Sequence, residues 1–359
     1  MTNTSPRFTP LVGALCLLLT MLAGCVNIGP GTVARDRFDY NTAIADSWKR
    51  QMLLNLIKIR YGDAPVFLDV ASITNQYSFE SELRGTLGWS SPSSNDQTLG
   101  GTGRYYDRPT ITYMPLSGET FARRLMKPVA PQKVMALVEG GYPIDLVFRL
   151  MVHSVNGLRN QFGGTARMRQ ADPGFFPLLA DLREVQAAGA LTMRIKEIEA
   201  QAALFLVFRK TPAPELATKI SDIRQALNLQ EGVDEFQVVY GSAAASDKEI
   251  ALATRSVFEV LIDISSTVEV PAEHVAEKRA APDVPVDLRD PDRRFIHIRA
   301  APEQPDDPFV MVQYRDTWFW IDDRDFGSKG IFSFLLFVMT LTESEGQNGA
   351  PVLTISAGG

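Results

Sequence analysis

Between residues 72 and 114 the chain twice alternates apolar and polar side chains with a period of two. From Ile73, one face collects Ile73, Tyr77, Phe79 and Leu83, and the other Ser72, Thr74, Gln76, Ser78, Glu80, Glu82 and Arg84. The pattern resumes in RYYDRPTITYMPL, with Tyr105, Ile111 and Tyr113 on one side and Arg108, Thr110 and Thr112 on the other. Alternation of this kind specifies strands half covered on one face. The intervening SSPSSNDQTLGGTG reads as a flexible polar loop. Residues 72–114 therefore predict one long hairpin projecting from the fold. Its apolar side, Tyr77, Phe79, Ile111 and Tyr113, is a candidate docking face for the body or for a partner. One-sided hairpins are common in soluble folds, so docking is the expected use. Crossing a bilayer is the alternative. It demands a ring of copies, because one hairpin would leave backbone groups unpaired in lipid.

Elsewhere in the first half the period is helical. Asn41–Gly62 carries the stripe Ile44, Trp48, Met52, Leu56 and Ile59, widened by Leu53 and Ile57. So wide an apolar face predicts a core helix rather than one lying on a membrane. Three helical segments follow the hairpin: from Ser117 to Pro128, from Pro131 to Gly140-Gly141, and from Pro143 through Ile144, Phe148, Met151, Val155 and Leu158. DPGFFPLLADLREVQAAG predicts another, with Asp172 as cap, Pro173 in the first turn and Gly189 at the end.

After Gly189 strands dominate. ALTMRIKEI and ALFLVFRK predict a pair, Leu216, Ile220, Ile223 and Leu227 a helix, and DEFQVVYG a strand. Ser246 and Glu249 have capping-box spacing before a long helix carrying Ile250, Val257, Leu261 and Ile264. FIHIRA, PFVMVQY and TWFWID predict a small antiparallel sheet, the last two joined by a tight Arg315-Asp316 turn. GIFSFLLFVMTL, apolar all round and too short to span a bilayer, predicts a buried helix, and PVLTIS a last strand. The expected fold is α+β, with a helix-rich first half bearing the hairpin and a mixed α/β second half with antiparallel strands. Regions 41–189 and 190–359 are two domains or one joint core.

With 45% hydrophobic and 22% charged residues the composition is globular, and the formal net charge of −6 comes with no basic stripe. Nucleic acid is therefore not an expected partner. Both cysteines, Cys16 and Cys25, lie in the first 25 residues. Beyond them no thiol remains for a disulfide, a metal or a nucleophile, so packing must supply stability.

Candidates for chemistry are few. Arg149, His153, Asn156 and Asn160 form a polar stripe at helical spacing, suited to an anionic or sugar ligand or, more commonly, to a solvated or interdomain face. His274 has acidic neighbours but no second histidine at metal spacing, and His297 alternates with Ile296 and Ile298 and should point outward. In WFWIDDRDFGSK, Asp322, Asp323 and Asp325 do not match a calcium loop and are expected to cap a helix. Trp318 and Trp320 share a strand face that either stacks on a sugar or partner or belongs to the core. No nucleophile–base pair, metal site or cofactor motif emerges, and no enzymatic activity is expected.

The first residues have a targeting layout: Arg7, then an apolar run from Leu11 to Leu22, then small residues and a cysteine. Leu22-Ala23-Gly24-Cys25 resembles the lipobox of bacterial lipoproteins. The resemblance covers only this segment. It implies removal of residues 1–24, diacylglycerol (and palmitate) on Cys25, and a lipidated tether over 25–40. Several acyl chains give stable membrane anchoring where one gives marginal binding. Val26, rather than an aspartate, after the cysteine implies the outer membrane. The expectation is an outer-membrane lipoprotein facing the periplasm, a binding or assembly component of an envelope complex with other envelope proteins or further copies of itself as partners. A pore subunit using the 72–114 hairpin is the alternative, and a hydrolase of envelope polymers a more distant one.

Overall fold

The computed structural model describes residues 28–74, 77–87, 97–107, 110–164, 168–198, 201–209, 213–281 and 296–341. Cys25 and the signal segment, the stretch 88–96, residues 282–295 and the expected strand PVLTIS lie outside them. The chain divides into two units, residues 1–52 and 53–359. Helix α1 (Ile28–Arg60) begins in the first and ends in the second. It already covers residues 28–40, which the lipobox resemblance assigned to a lipidated tether. Pro30 fits there because a first helical turn needs no N–H from it. In the first unit, Lys49 pairs with Asp46 at 3.0 Å, and Trp48 is 37% exposed. In the second, Leu53, Leu56 and Ile57 are fully buried, as a core helix requires.

The second unit is an α+β fold. The hairpin is built from two concentric ladders. β1 (Leu68–Thr74) pairs with β4 (Thr110–Pro115), and β2 (Tyr77–Leu87) pairs with β3 (Gln97–Asp107), all antiparallel. The stretch read as a flexible loop is therefore partly strand: Gln97–Gly103 lies opposite Ser81–Leu87. Glycine-rich composition suggested a loop, but partner register overrode that local preference.

Two helical turns follow, α2 (Gly118–Phe121) and a π-helical turn at Ala122–Met126, then α3 (Pro131–Glu139) and α4 (Ile144–Met151). α4 ends where the sequence suggested more helix. Val152–Val155 is strand β5 and Leu158–Arg159 is β6, turning at Asn156 with φ 44° and Gly157 with φ 84°. α5 (Phe175–Ala187) starts later than expected, with Gly174 rather than Asp172 at its N-cap. The Asp172 carboxylate instead accepts from the Arg159 backbone N–H at 2.9 Å.

Strands β7 (Leu191–Ile198) and β8 (Gln201–Phe208), helix α6 (Pro214–Ala226), β9 (Glu235–Tyr240) and β10 (Glu249–Thr254) follow. The main sheet has the order β6-β5-β10-β9-β8-β7, parallel only between β9 and β10. It takes strands from both sides of residue 189. The long helix expected after Ser246 is instead β10 followed by α7 (Val257–Ser265). The capping box sits ten residues later than expected, at Ser256 and Glu259, each side chain bonding the other's backbone N–H. Ile250 and Leu252 suit a buried strand as well as a helix, and pairing with β5 and β9 decided the matter.

The core lies between this sheet and its helices. Met135, Ile144, Phe148, Leu182, Leu206, Val238, Ile250 and Leu252 line one apolar seam. Each such side chain fully buried contributes about 1.5–3 kcal/mol. After α8 (Ala272–Ala276), strands β11 (Arg299–Ala301), β12 (Pro308–Tyr314) and β13 (Thr317–Asp322) form the small antiparallel sheet, in the order β11-β13-β12. Helix α9 (Phe326–Leu341) is not buried all round: Phe332, Phe334, Leu335 and Val338 are, but Phe326 is 86% exposed.

Candidate functional site

The stripe Arg149, His153, Asn156 and Asn160 does not exist as a helical face, because α4 stops at Met151. Its members serve different purposes. Arg149 lies over the Phe176 ring at 5.3 Å. Asn156, in its left-handed turn, donates its amide to the carbonyls of Leu227 and Glu249 and accepts from the Ala251 N–H, at 2.8, 3.2 and 2.6 Å. Asn160 is buried and donates to the carbonyls of Arg149 and Val152 at 2.9 and 2.7 Å. Arg169 donates to the Asn160 carbonyl at 2.9 Å and contacts His153 Nε2 at 3.4 Å. A guanidinium only donates, so that imidazole nitrogen accepts. Burial, then the Arg169 and Arg255 charges, hold the His153 pKa below the ordinary histidine value.

Next to this lies a pair absent from the sequence-level candidates. Arg255 is 0% exposed, and its Nη1 donates to Asp263 Oδ2 at 3.0 Å and to the carbonyls of Arg149 and Leu150. Its Nη2 bonds the Gln161 carbonyl, and Asp263 Oδ1 accepts from the Gly163 N–H. The signal was one arginine and two acidic residues, Arg255, Glu259 and Asp263, in the otherwise apolar run LATRSVFEVLIDIS. These groups spend their polarity on backbone, and so fasten residues 149–163 to α7.

A second cluster joins α1 to the small sheet. Tyr61 Oη lies 2.7 Å from Nδ1 of buried His274, and the Tyr61 ring meets those of Tyr314 and Phe319 edge-on. The Asp63 carboxylate accepts from Tyr314 Oη and from Arg315 at 2.8 Å, and the Arg315 guanidinium stands 5.1 Å from the Tyr61 ring. Burial pushes the pKa values of Tyr61 and Tyr314 up, with Asp63 adding to the second.

In WFWIDDRD, Thr317, Phe319 and Ile321 are buried, while Trp318 and Trp320 are half-buried on the other face, opposite Gln313 and Met311. Of the three aspartates expected to cap a helix, Asp325 does so for α9, accepting from the Ser328 N–H at 3.0 Å and from Ser328 Oγ at 2.7 Å. Burial pushes its pKa up, but the Ser328 bonds with nearby His297 and Arg299 outweigh that and hold it low. Asp322 accepts from the Arg324 N–H, and Asp323 pairs with Lys329 at 2.7 Å. His297 is exposed between buried Ile296 and Ile298, as its alternation predicts. Among the described residues, no three His, Cys, Asp or Glu side chains are placed to hold a metal ion, and no helix is long and apolar enough to cross a membrane.

The hairpin is the remaining candidate. Ile73 pairs with Ile111, Tyr77 with Asp107, Phe79 with Tyr105 and Val70 with Tyr113. Tyr113 is 53% exposed, so the body does not cover the docking face there. Among the described residues β2 and β3 pair only with each other. A two-stranded ladder standing alone is at best marginally stable in water. No family model matches the chain, and neither a curated protein nor a solved structure does.

Proposed function

We propose that this protein is an outer-membrane lipoprotein, anchored by acyl chains on Cys25 and facing the periplasm, that acts as an assembly component of an envelope complex. The observation that carries the assembly role is the hairpin: an eleven-pair ladder whose outer edges, among the described residues, have no partner. Such edges template pairing with another chain unless something covers them. The anchoring role rests on the order of charge, apolar run, small residues and cysteine in residues 7–25. Envelope proteins are the partners this reading calls for.

Cys25→Ala should abolish incorporation of labelled palmitate and remove the protein from the outer-membrane fraction. A variant still labelled and membrane-bound would refute the anchor. A photocrosslinker at Tyr113 should capture a partner in intact cells, and its failure to capture any chain would count against the assembly role.

A further inference from the structure

We propose that the hairpin's partner is another copy of this chain: β3 of one copy adds to β2 of the next, and the ring of hairpins closes into a β-barrel through the outer membrane. This rests on the anchoring reading above, which brings the chain to a bilayer. Four features of the ladder argue for it.

The first is length. β2 and β3 have eleven residues each. At ~3.3 Å per residue and a tilt of ~40° they rise roughly 28 Å, close to the ~25 Å apolar band of outer-membrane barrels.

The second is parity. The β2–β3 register runs from Tyr77 opposite Asp107 to Leu87 opposite Gln97 without a bulge, so residues of like parity stay on one face throughout. One face holds the positions of Tyr77, Phe79, Leu83, Leu87, Leu99 and Tyr105. The other holds those of Glu80, Glu82, Arg84, Thr102 and Arg104. Asp107 and Gln97 stand at the two ends of the apolar face, where a spanning strand meets the headgroups; Ser81, opposite Gly103, is the polar position within it, and Tyr106 an aromatic position on the polar face. Apolar outside and polar inside is the pattern of a barrel wall.

The third is edge geometry. β2 and β3 run in opposite directions, so setting β3 of one copy beside β2 of the next continues an antiparallel order. Such head-to-tail pairing uses two different surfaces and closes into a ring when the rotation between copies divides a full turn. Two strands per copy give the even number such barrels have, and the smallest, of eight strands, takes about four copies. Closure also supplies what a lone hairpin in lipid lacks, a partner for every edge N–H and C=O.

The fourth is composition. β2 carries Glu80, Glu82 and Arg84 and β3 carries Arg104 and Asp107, so each strand offers charges of both signs to a neighbouring copy. Gly100, Gly101 and Gly103 in β3 weaken a free-standing strand but suit the bending of a closing sheet.

The test uses the full lipidated chain extracted in mild detergent. Native mass spectrometry should find a closed oligomer, and planar bilayers should show discrete conductance steps. Co-expressed, differently tagged Glu82→Cys and Thr102→Cys chains should form a disulfide between unlike chains, with Thr102 also tested against cysteines at 78–86 to find the register. Phe79→Asp and Leu83→Asp should abolish ring and conductance, while Glu82→Gln keeps the ring and shifts its ion selectivity. A palmitoylated chain that stays monomeric and silent in bilayers overturns the ring and leaves the anchor standing. Loss of palmitate labelling at Cys25 strikes the anchor instead. Hairpin crosslinks to a different envelope protein, or a ring without conductance, overturn the barrel. So does equal behaviour of Phe79→Asp and Glu82→Gln.

Discussion

Arg255 shows how one side chain in this fold stands in for several backbone contacts. It bonds the carbonyls of Arg149, Leu150 and Gln161 while neutralised by Asp263. Removing one partner of a buried pair leaves an uncompensated charge, so Arg255→Ala should cost about 3–5 kcal/mol in urea unfolding. Replacing both, as Arg255→Met with Asp263→Leu, should cost less than Asp263→Leu alone; a double variant no better than that single one would deny the pairing. His153 sets a pH dependence near this node. Its folded-state pKa lies below the unfolded value of about 6.5. Its contribution is therefore fully present above pH ~6.5 and lost as pH falls through the lower, folded value. The urea midpoint should drop between pH 7.5 and 5.5, and His153→Gln should flatten that drop. An unchanged slope in the variant would remove His153 from the account.

At the scale of elements, caps and turns are where sequence spacing and structure disagree most usefully. Ser246 and Glu249 have the capping-box spacing, yet Ser256 and Glu259 form the box. Ser256→Ala should destabilise the protein by ~0.5–2 kcal/mol, and Ser246→Ala by much less. Equal losses would mean that α7 is not capped as described. The β12–β13 turn places Arg315 and Asp316 at φ 49° and 63°. Left-handed backbone costs most side chains roughly 1–2 kcal/mol, against a 0.5–1 kcal/mol entropy cost of glycine. Asp316→Gly should thus raise stability by about 0.5 kcal/mol. Arg315 should not tolerate the same change, since it also holds Asp63 and faces the Tyr61 ring.

For the whole molecule, the question is whether the hairpin belongs to the core. Half-exposed Tyr113, and the exclusive pairing of β2 with β3 among the described residues, separate it from the main sheet. Joining residues 74 and 110 by a short turn should therefore leave the thermal midpoint of the body unchanged by circular dichroism. A marked drop would show that the hairpin docks on the body.

Local pattern determined much of this protein. Strict alternation marked the 72–114 hairpin, period 3.6 marked α1, α5 and α6, and the aspartates of WIDDRD marked the start of α9, because each signal lies within one element's reach. Tertiary structure decided the rest. Val152–Val155 and Glu249–Thr254 continue helical patterns on paper, yet they pair with each other as strands. A short apolar run fits either period, and only a distant partner offering backbone hydrogen bonds breaks the tie. The same holds for the polar residues. Arg149, His153, Asn156 and Asn160 share a helical spacing, but the turn at Asn156 and Gly157 sends them to different partners. Arg255 and Asp263 became a pair because a charge buried by the fold must find its opposite there.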